Sequence, residues 1–259
     1  MGVISKFSAY ARAAAVLHGA NLRGLPAIPK SLWPDAPSNR ESFNQFVLWI
    51  HRLQLPRVNQ VVDVGANHGD FSLAASALHP KAQVLLVEPL PTLRPELERR
   101  CARRGGRWRL ETSALGSQAG SATLHVDPRH DAIGSLLGFS EEYLKANPEA
   151  REGRTFTCKV RTLDELCLEQ GIETIDLLKI DVEGFEFETL GGGARMLRAT
   201  TALIIEVSLV RRSDGSEALG RMLEVLSRAG LRLVELFPSF YSEETPWLPV
   251  EFNLLARRT

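Results

Sequence analysis

The stretch that decides the fold of this 259-residue chain reads Val61-Val62-Asp63-Val64-Gly65-Ala66-Asn67-His68-Gly69. Its apolar first half is typical of a buried strand, and its glycines let the following turn pass close to a ligand with exposed amide groups. A dinucleotide site favours glycine at three positions of such a turn, and Asn67 occupies the second of them. The turn is therefore better suited to a ligand that has no pyrophosphate.

Apolar segments on both sides of this turn alternate with helical patterns. The predicted strands cover residues 61–64, 84–87, 108–110, 175–180 and 203–207, followed by a closing antiparallel pair at 231–237 and 252–256. The predicted helices cover residues 70–78, 95–104, 163–170 and 216–229. This alternation predicts an α/β fold with a mostly parallel, seven-stranded sheet and helices on both faces.

Two further regions lie outside this alternation. Residues 1–56 are expected to form an N-terminal helical accessory region with helices at 1–20 and 44–53, and residues 57–259 the main domain. The second of these helices places its larger apolar side chains on one face at helical spacing: Phe46, Trp49, Ile50 and Leu53. An insertion at about 117–160 contains two short alternating segments, and we expect it to cover the sheet as a lid.

Composition excludes several classes of partner. Lys and Arg number 31 and so do Asp and Glu, so the formal net charge is zero and no nucleic-acid partner is expected. No apolar segment reaches the ~18 residues of a transmembrane helix. Cys101, Cys158 and Cys167 form neither a disulfide framework nor a zinc-binding spacing, which favours a cytoplasmic location. A homodimer is left open.

Glu88 is the second candidate functional residue. It follows the predicted strand 84–87 and stands 23 residues after Gly65. An acid about 20 residues beyond a glycine turn of this kind accepts hydrogen bonds from ribose hydroxyls. An ordinary loop acid is the alternative, but the pairing with the glycine turn favours ribose binding.

The third motif reads Leu178-Lys179-Ile180-Asp181-Val182-Glu183-Gly184-Phe185-Glu186. A central parallel strand should be apolar on both faces, yet Lys179, Asp181 and Glu183 alternate along it. Charges there are costly to bury without a partner or a purpose. Either a lysine–carboxylate pair closes the strand end, or the acids form part of a ligand site at the carboxyl ends of the strands.

These motifs, together with Val87-Glu88-Pro89, Ser113-Ala114-Leu115-Gly116 and Ile205-Glu206-Val207, resemble the FkbM family of S-adenosylmethionine (SAM)-dependent methyltransferases. The resemblance covers roughly residues 58–210 in the right order. It implies a Rossmann-like class I methyltransferase fold, SAM as cofactor, and O-methylation of a small hydroxylated acceptor such as a sugar or a natural-product scaffold.

The resemblance also implies a cofactor site. The glycine turn would hold the methionine part of SAM, Glu88 the ribose, Ser113 and Ala114 the adenine, and Asp181 would face the sulfonium. The predicted cofactor-binding residues are Asp63, Gly65, Ala66, Asn67, His68, Gly69, Glu88, Pro89, Ser113, Ala114 and Asp181.

A hydroxyl acceptor needs a base to remove its proton, because an alcohol is a poor nucleophile. The first candidates are Asp181 and Glu183, and the second are His125 and His130 on the insertion. A metal ion could serve instead, although no residue spacing requires one. The alternatives are an NAD- or nucleotide-sugar-dependent Rossmann enzyme and a non-catalytic SAM-fold binding module.

Overall fold

The computed structural model describes residues 39–127, 134–139, 141–146, 148–209, 217–241, 247 and 249–258. The predicted helix at 1–20 and the candidate base His130 lie outside these residues.

The described chain alternates strands and helices along most of its length. The strands are β1 (Gln60–Val64), β2 (Gln83–Val87), β3 (Trp108–Glu111), β4 (Ala114–Leu115), β5 (Gly120–Val126), β6 (Gly134–Ser135), β7 (Arg154–Arg161), β8 (Ile175–Ile180), β9 (Thr200–Ser208), β10 (Arg232–Tyr241) and β11 (Pro249–Arg257). The helices are α1 (Asn39–Arg52), α2 (Asp70–Leu78), α3 (Arg94–Ala102), α4 (Glu141–Ala146), α5 (Leu163–Glu169), α6 (Glu186–Gly191), α7 (Ala194–Arg198) and α8 (Glu217–Arg228), with a 3₁₀ helix at Pro148–Glu152. None of the described helices is long and apolar enough to cross a membrane.

Seven strands form the central sheet in the order β10-β11-β9-β8-β1-β2-β3. Neighbours from β9 through β3 are parallel, whereas β11 is antiparallel to both β9 and β10. The sheet is therefore mixed through one reversed strand. The prediction of a mostly parallel sheet with a closing antiparallel pair is confirmed.

Helices cover both faces of this sheet because neighbouring strand residues point to opposite sides. Val61 packs in a cluster with side chains of α1, α2 and α3, whereas Val62 packs in a second cluster with side chains of α5, α7 and α8. Aliphatic side chains of the central strands are therefore buried on both faces of the sheet, as a buried parallel sheet requires.

Helix α1 is part of the first of these clusters. Trp49, Ile50 and Leu53 are buried on the face that helical spacing predicts. Phe46 meets the ring of Phe71 edge-on at 5.5 Å, and Arg257 donates a hydrogen bond of 2.8 Å to the carbonyl oxygen of Leu53. The helix therefore shares the hydrophobic core of the main sheet. A domain boundary at residue 56 stays a prediction.

A second, four-stranded sheet has the order β4-β7-β5-β6. It occupies the region of the predicted insertion at 117–160 and also includes β4, which precedes that region. Alternation on β5 buries Leu124 and Val126, whereas Thr123 is exposed. This sheet is consistent with the predicted position over the carboxyl ends of the main strands, because Leu124 lines the same cleft as Gly65.

Helices α6 and α7 were missed by the sequence analysis, which does not place a helix at 186–198. Both are short, and Gly192 and Gly193 separate them. A side chain at Gly192 would overlap the carbonyl oxygen of Gly116. The glycine therefore permits the junction of the two helices to pack directly against the chain that follows β4.

The first glycine of the turn after β1 has a stricter requirement. Gly65 has a φ of 72°, and a Cβ there would overlap the carbonyl oxygen of Asp181. Asp181 N also donates a hydrogen bond of 3.1 Å to the carbonyl oxygen of Val64. The backbones at the ends of β1 and β8 are thus in direct contact.

Gly65→Ala should lower the free energy of unfolding much more than Gly105→Ala. Gly105 has a similar φ of 57° but no atom within 4 Å of an added Cβ, so it isolates the left-handed backbone cost of about 1–2 kcal/mol. Overlap with Asp181 should add at least ~2 kcal/mol at Gly65. Urea denaturation of both variants measures this difference, and equal losses would contradict the backbone contact.

Candidate active site

An open cleft lies at the carboxyl ends of β1, β2 and β8. This is where open α/β sheets bind their ligands. The described residues that line it are Val64, Gly65, Asn67, Val87, Glu88, Pro89, Leu90, Ser113, Ala114, Leu115, Leu124, Gly134, Leu136, Asp181, Val182, Glu183 and Phe185.

The glycine turn holds Glu88 in a fixed position on the cleft wall. Asn67 N donates a 2.8 Å hydrogen bond to Glu88 Oε2, and Leu90 N donates one of 3.0 Å to Oε1. Asn67 has a φ of 50°, a left-handed conformation that asparagine tolerates better than most residues. Each carboxylate oxygen can accept a further hydrogen bond. Glu88 is therefore preorganised to accept hydroxyl hydrogens.

Burial raises the pKa of Glu88 above its ordinary value, although the Leu90 and Asn67 amides and the charge of Lys179 oppose this effect. Water is largely excluded from this wall of the cleft, since Glu88 is only 9% exposed. A ligand hydroxyl that replaces water here would meet an acceptor whose geometry is already set.

Lys179 joins the ends of β1 and β8 from within the sheet. Its Nζ donates a 2.6 Å hydrogen bond to the carbonyl oxygen of Gly65 and lies 3.3 Å from Asp181 Oδ2 and 3.6 Å from Asp63 Oδ1. Burial alone would lower the pKa of Lys179, but Asp181 and Asp63 outweigh it and raise that pKa. The lysine–carboxylate pair considered from the sequence is present, and Lys179 supports the site without lining the cleft.

The turn after β8, residues 181–184, brings both predicted carboxylates to the cleft. Strand β8 ends at Ile180, and Glu183 has a φ of 56°, so the simple alternation expected from sequence stops before Glu183. Asp181 and Glu183 nevertheless both line the cleft. The turn itself is bonded on two sides, through Ser135 and through Glu186.

The predicted cofactor-binding residues fall into two groups. Those that line the cleft are Gly65, Asn67, Glu88, Pro89, Ser113, Ala114 and Asp181. The other four lie behind the cleft wall: Asp63, Ala66, His68 and Gly69. The fully buried Asp63 accepts a hydrogen bond from Ser72 Oγ, His68 Nδ1 is 2.8 Å from Glu96 Oε2, and Gly69 precedes the first residue of α2. This second group shapes the turn and does not form its surface.

The candidate base His125 is not among the residues that line the cleft. Leu124 lines the cleft from β5, and its neighbour His125 points to the opposite face of that strand. A Cβ on Gly138 would lie 3.9 Å from the His125 ring, which places the ring beside the chain that follows β6. His130 lies outside the described residues.

The sequence analysis expected the insertion to act as a lid but named none of the apolar residues that line the cleft from it. Leu124 of β5, Gly134 of β6 and Leu136 after β6, with Phe185 and Leu90 from the main domain, give the cleft apolar walls. The alternation at residues 122–126 predicts that the side chain of Leu124 is buried. The local pattern does not predict which part of the molecule that side chain covers.

Glu206 is a further carboxylate near Asp181, but it does not line the cleft. Burial raises the pKa of Glu206 well above its ordinary value, and the negative charges of Glu251 and Asp181 raise it further. Within the described residues, no group of three or more His, Cys, Asp or Glu side chains has an arrangement that could hold a metal ion.

Comparison with known proteins identifies the family of this site. The profile described as "Methyltransferase FkbM domain" matches residues 63–233. The chain belongs to the FkbM methyltransferase family. The cofactor of this FkbM-family methyltransferase is SAM, and its sheet is that of a class I methyltransferase, as the sequence resemblance implied.

Several individual proteins are similar to this chain. It is 28% identical over 186 residues to the 2-O-methyltransferase NoeI of Sinorhizobium fredii (strain NBRC 101917 / NGR234), a match covering 69% of this chain and 74% of the relative. It is 30% identical over 244 residues to the 31-O-demethyl-FK506 methyltransferase FkbM of Streptomyces tacrolimicus, covering 85% and 88%. The solved precorrin-6y C5,15-methyltransferase of Geobacter metallireducens GS-15 aligns at 13% identity and a TM-score of 0.47, over 91% of this chain and 98% of that chain.

The residues of the cleft fit SAM. The Ser113 hydroxyl is buried, and no described residue hydrogen-bonds it, so a polar ligand atom would supply the missing partner. Nearby apolar side chains suit a flat heteroaromatic ring, and Glu88 suits vicinal hydroxyls.

Glu88→Ala should weaken the binding of S-adenosylhomocysteine by about 1.5–3 kcal/mol, the scale of hydrogen bonds to a charged acceptor. Titration calorimetry measures this loss. Glu98→Ala is the matched control, since Glu98 is exposed on α3 and pairs only with Arg94 among the described side chains. An affinity unchanged in a folded Glu88→Ala variant would remove Glu88 from the cofactor site.

Proposed function

We propose that this methyltransferase transfers the methyl group of SAM to a hydroxyl oxygen of a small molecule, either a sugar or a natural-product scaffold. The observation that carries the proposal is the pair of carboxylates, Asp181 and Glu183, on a cleft that also contains the glycine turn and Glu88. The names of two relatives, a 2-O-methyltransferase and a 31-O-demethyl-FK506 methyltransferase, support oxygen as the acceptor atom.

These cleft residues would hold the cofactor in this proposal. Glu88 would accept hydrogen bonds from the ribose hydroxyls, Ser113 and Ala114 would border the adenine, and Gly65 and Asn67 would border the methionine part of SAM. Asp181 would stabilise the sulfonium through its negative charge.

When SAM is bound, its sulfonium provides an already activated methyl group, so the chain's main contributions are orientation and proton removal. Glu183 accepts the proton of the acceptor hydroxyl, which typically contributes ~10²–10⁴-fold to such a reaction. Asp181 is held by Lys179 and orients the cofactor. The second sheet excludes water above the reacting oxygen.

Two alternatives are separated from this proposal by specific observations. Asn67 occupies a position where a pyrophosphate needs glycine, and membership of a methyltransferase family argues against NAD. A non-catalytic SAM-binding module would have no need to place two carboxylates beside the cofactor.

We also propose a cytoplasmic location. Its support is that Cys101, Cys158 and Cys167 are free thiols, which a reducing compartment maintains. A homodimer stays a prediction, as does the absence of a nucleic-acid partner.

Incubation with methyl-labelled SAM and a panel of sugars and hydroxylated polyketides should label a product at oxygen. Calorimetry should show binding of S-adenosylhomocysteine and no comparable binding of NAD. Label on nitrogen or carbon would contradict O-methylation, and binding without transfer to any metabolite of a cell extract would favour the binding module.

Glu183→Gln should lower turnover by ~10²-fold or more and leave cofactor affinity nearly intact, because it removes only the base. Asp181→Asn should weaken both, since it also disturbs Lys179. Glu173→Gln on the exposed surface is the control. Turnover and affinity are measured with and without a chelator. Full activity in Glu183→Gln would eliminate it as base, and chelator sensitivity reversed by magnesium would establish a metal mechanism instead.

A further inference from the structure

The 181–184 turn carries both candidate catalytic carboxylates but is not a relaxed loop. Glu183 has a φ of 56° and Gly184 a φ of 99°. A left-handed conformation costs a non-glycine residue about 1–2 kcal/mol and persists only where its surroundings enforce it. Something outside the turn must therefore supply that enforcement.

Glu186 bonds the turn from the main domain. Its Oε1 accepts hydrogen bonds from Val182 N at 3.2 Å and from Gly184 N at 3.0 Å, the amides on either side of Glu183. Its side chain is almost fully buried. Backbone hydrogen bonds to an ionised acceptor are stronger than neutral ones, so one carboxylate fixes both flanks of the left-handed residue.

Ser135 bonds the same residue from the second sheet. Its Oγ donates a 2.8 Å hydrogen bond to the carbonyl oxygen of Glu183 and accepts one of 3.2 Å from Leu137 N. Ser135 lies between Gly134 and Leu136, which both line the cleft. The roof over the cleft is thereby tied to the residue proposed as base.

We propose that Glu186 and Ser135 are positioning residues that hold the 181–184 turn from two sides and thereby direct Glu183 at the acceptor hydroxyl. The catalytic part of this inference rests on the proposed O-methyl transfer. The hydrogen bonds from Glu186 and Ser135 to the backbone of the turn do not depend on that function, and they can be tested without an acceptor.

Keeping the buried carboxylate of Glu186 ionised costs free energy, and a neutral side chain at the same position would avoid this cost. Burial, opposed by the hydrogen bonds of the turn and reinforced by the charge of Asp181, raises the pKa of Glu186 to about 7. The other charged group that acts on it is Glu206, on β9. Because the folded-state pKa is raised, the native state loses stability relative to the unfolded state as pH rises from the ordinary value towards 7. Glu186→Gln should therefore be at least as stable as the native chain at pH 8.

Activity separates positioning from folding. Glu186→Ala and Ser135→Ala should each lower kcat roughly 10-fold or more, because displacing a reacting group by about 1 Å costs up to ~10²-fold. Affinity for S-adenosylhomocysteine should stay within about 2-fold. Glu186→Gln keeps an acceptor oxygen and should recover most of the loss. Glu173→Ala and Ser117→Ala, both on the exposed surface, are the matched controls.

The double variant tests whether the two residues act on one element. If they do, the loss in Glu186→Ala/Ser135→Ala falls short of the product of the single losses. If the two losses of kcat multiply in the double variant, Glu186 and Ser135 do not act on the same turn. A fall in cofactor affinity that parallels the fall in kcat would also contradict their positioning role.

Hydrogen exchange tests the backbone part on the native chain and the same variants, without acceptor. The Val182 and Gly184 amides should exchange at least several-fold faster in Glu186→Ala, whereas amides of β8 should not change. Unchanged exchange of the turn would overturn the proposal. If the native chain binds cofactor but methylates nothing, the proposed function is wrong. The hydrogen-exchange comparison would still decide whether Glu186 holds the turn.

Discussion

The site depends on one close contact between two backbones. Gly65 at the end of β1 lies against the carbonyl of Asp181 at the end of β8, and no larger residue fits between them. Lys179 fixes this contact by bonding the Gly65 carbonyl and facing two carboxylates. Because the two turns are in direct backbone contact and share these bonds, the glycine turn and the 181–184 turn are held in one fixed relation.

That contact explains why charged residues occupy the centre of an apolar sheet. Lys179 and Asp63 would each be costly to bury alone, and together with Asp181 they offset much of that cost. The arrangement contributes little net stability, because a buried ion pair seldom stabilises the fold more than a pair of apolar side chains of similar size. Its benefit is geometric, as it specifies a single relation between the glycine turn and the acidic turn.

Local patterns in the sequence were sufficient for the sheet and for one wall of the site. Strand β8 has the predicted bounds, because a run of buried aliphatic residues leaves little choice of structure. Glu183 illustrates the limit. Its left-handed backbone is imposed by Glu186 and by Ser135, which is 48 residues away, and no local pattern encodes such a contact. Local patterns also do not predict that Leu136 lines the cleft, or that His125 points away from the cleft because of the register of β5.

Strand order has a consequence for how the chain is made. The ribosome delivers β10 before β11, yet β11 pairs between β10 and β9. Until β11 emerges, β9 presents an unpaired edge rich in isoleucine and valine, the kind of edge that recruits other chains. Completing the sheet also places Arg257 against Leu53 and thereby locks α1. Insertion of β11 between β9 and β10 therefore also protects this edge from pairing with another chain.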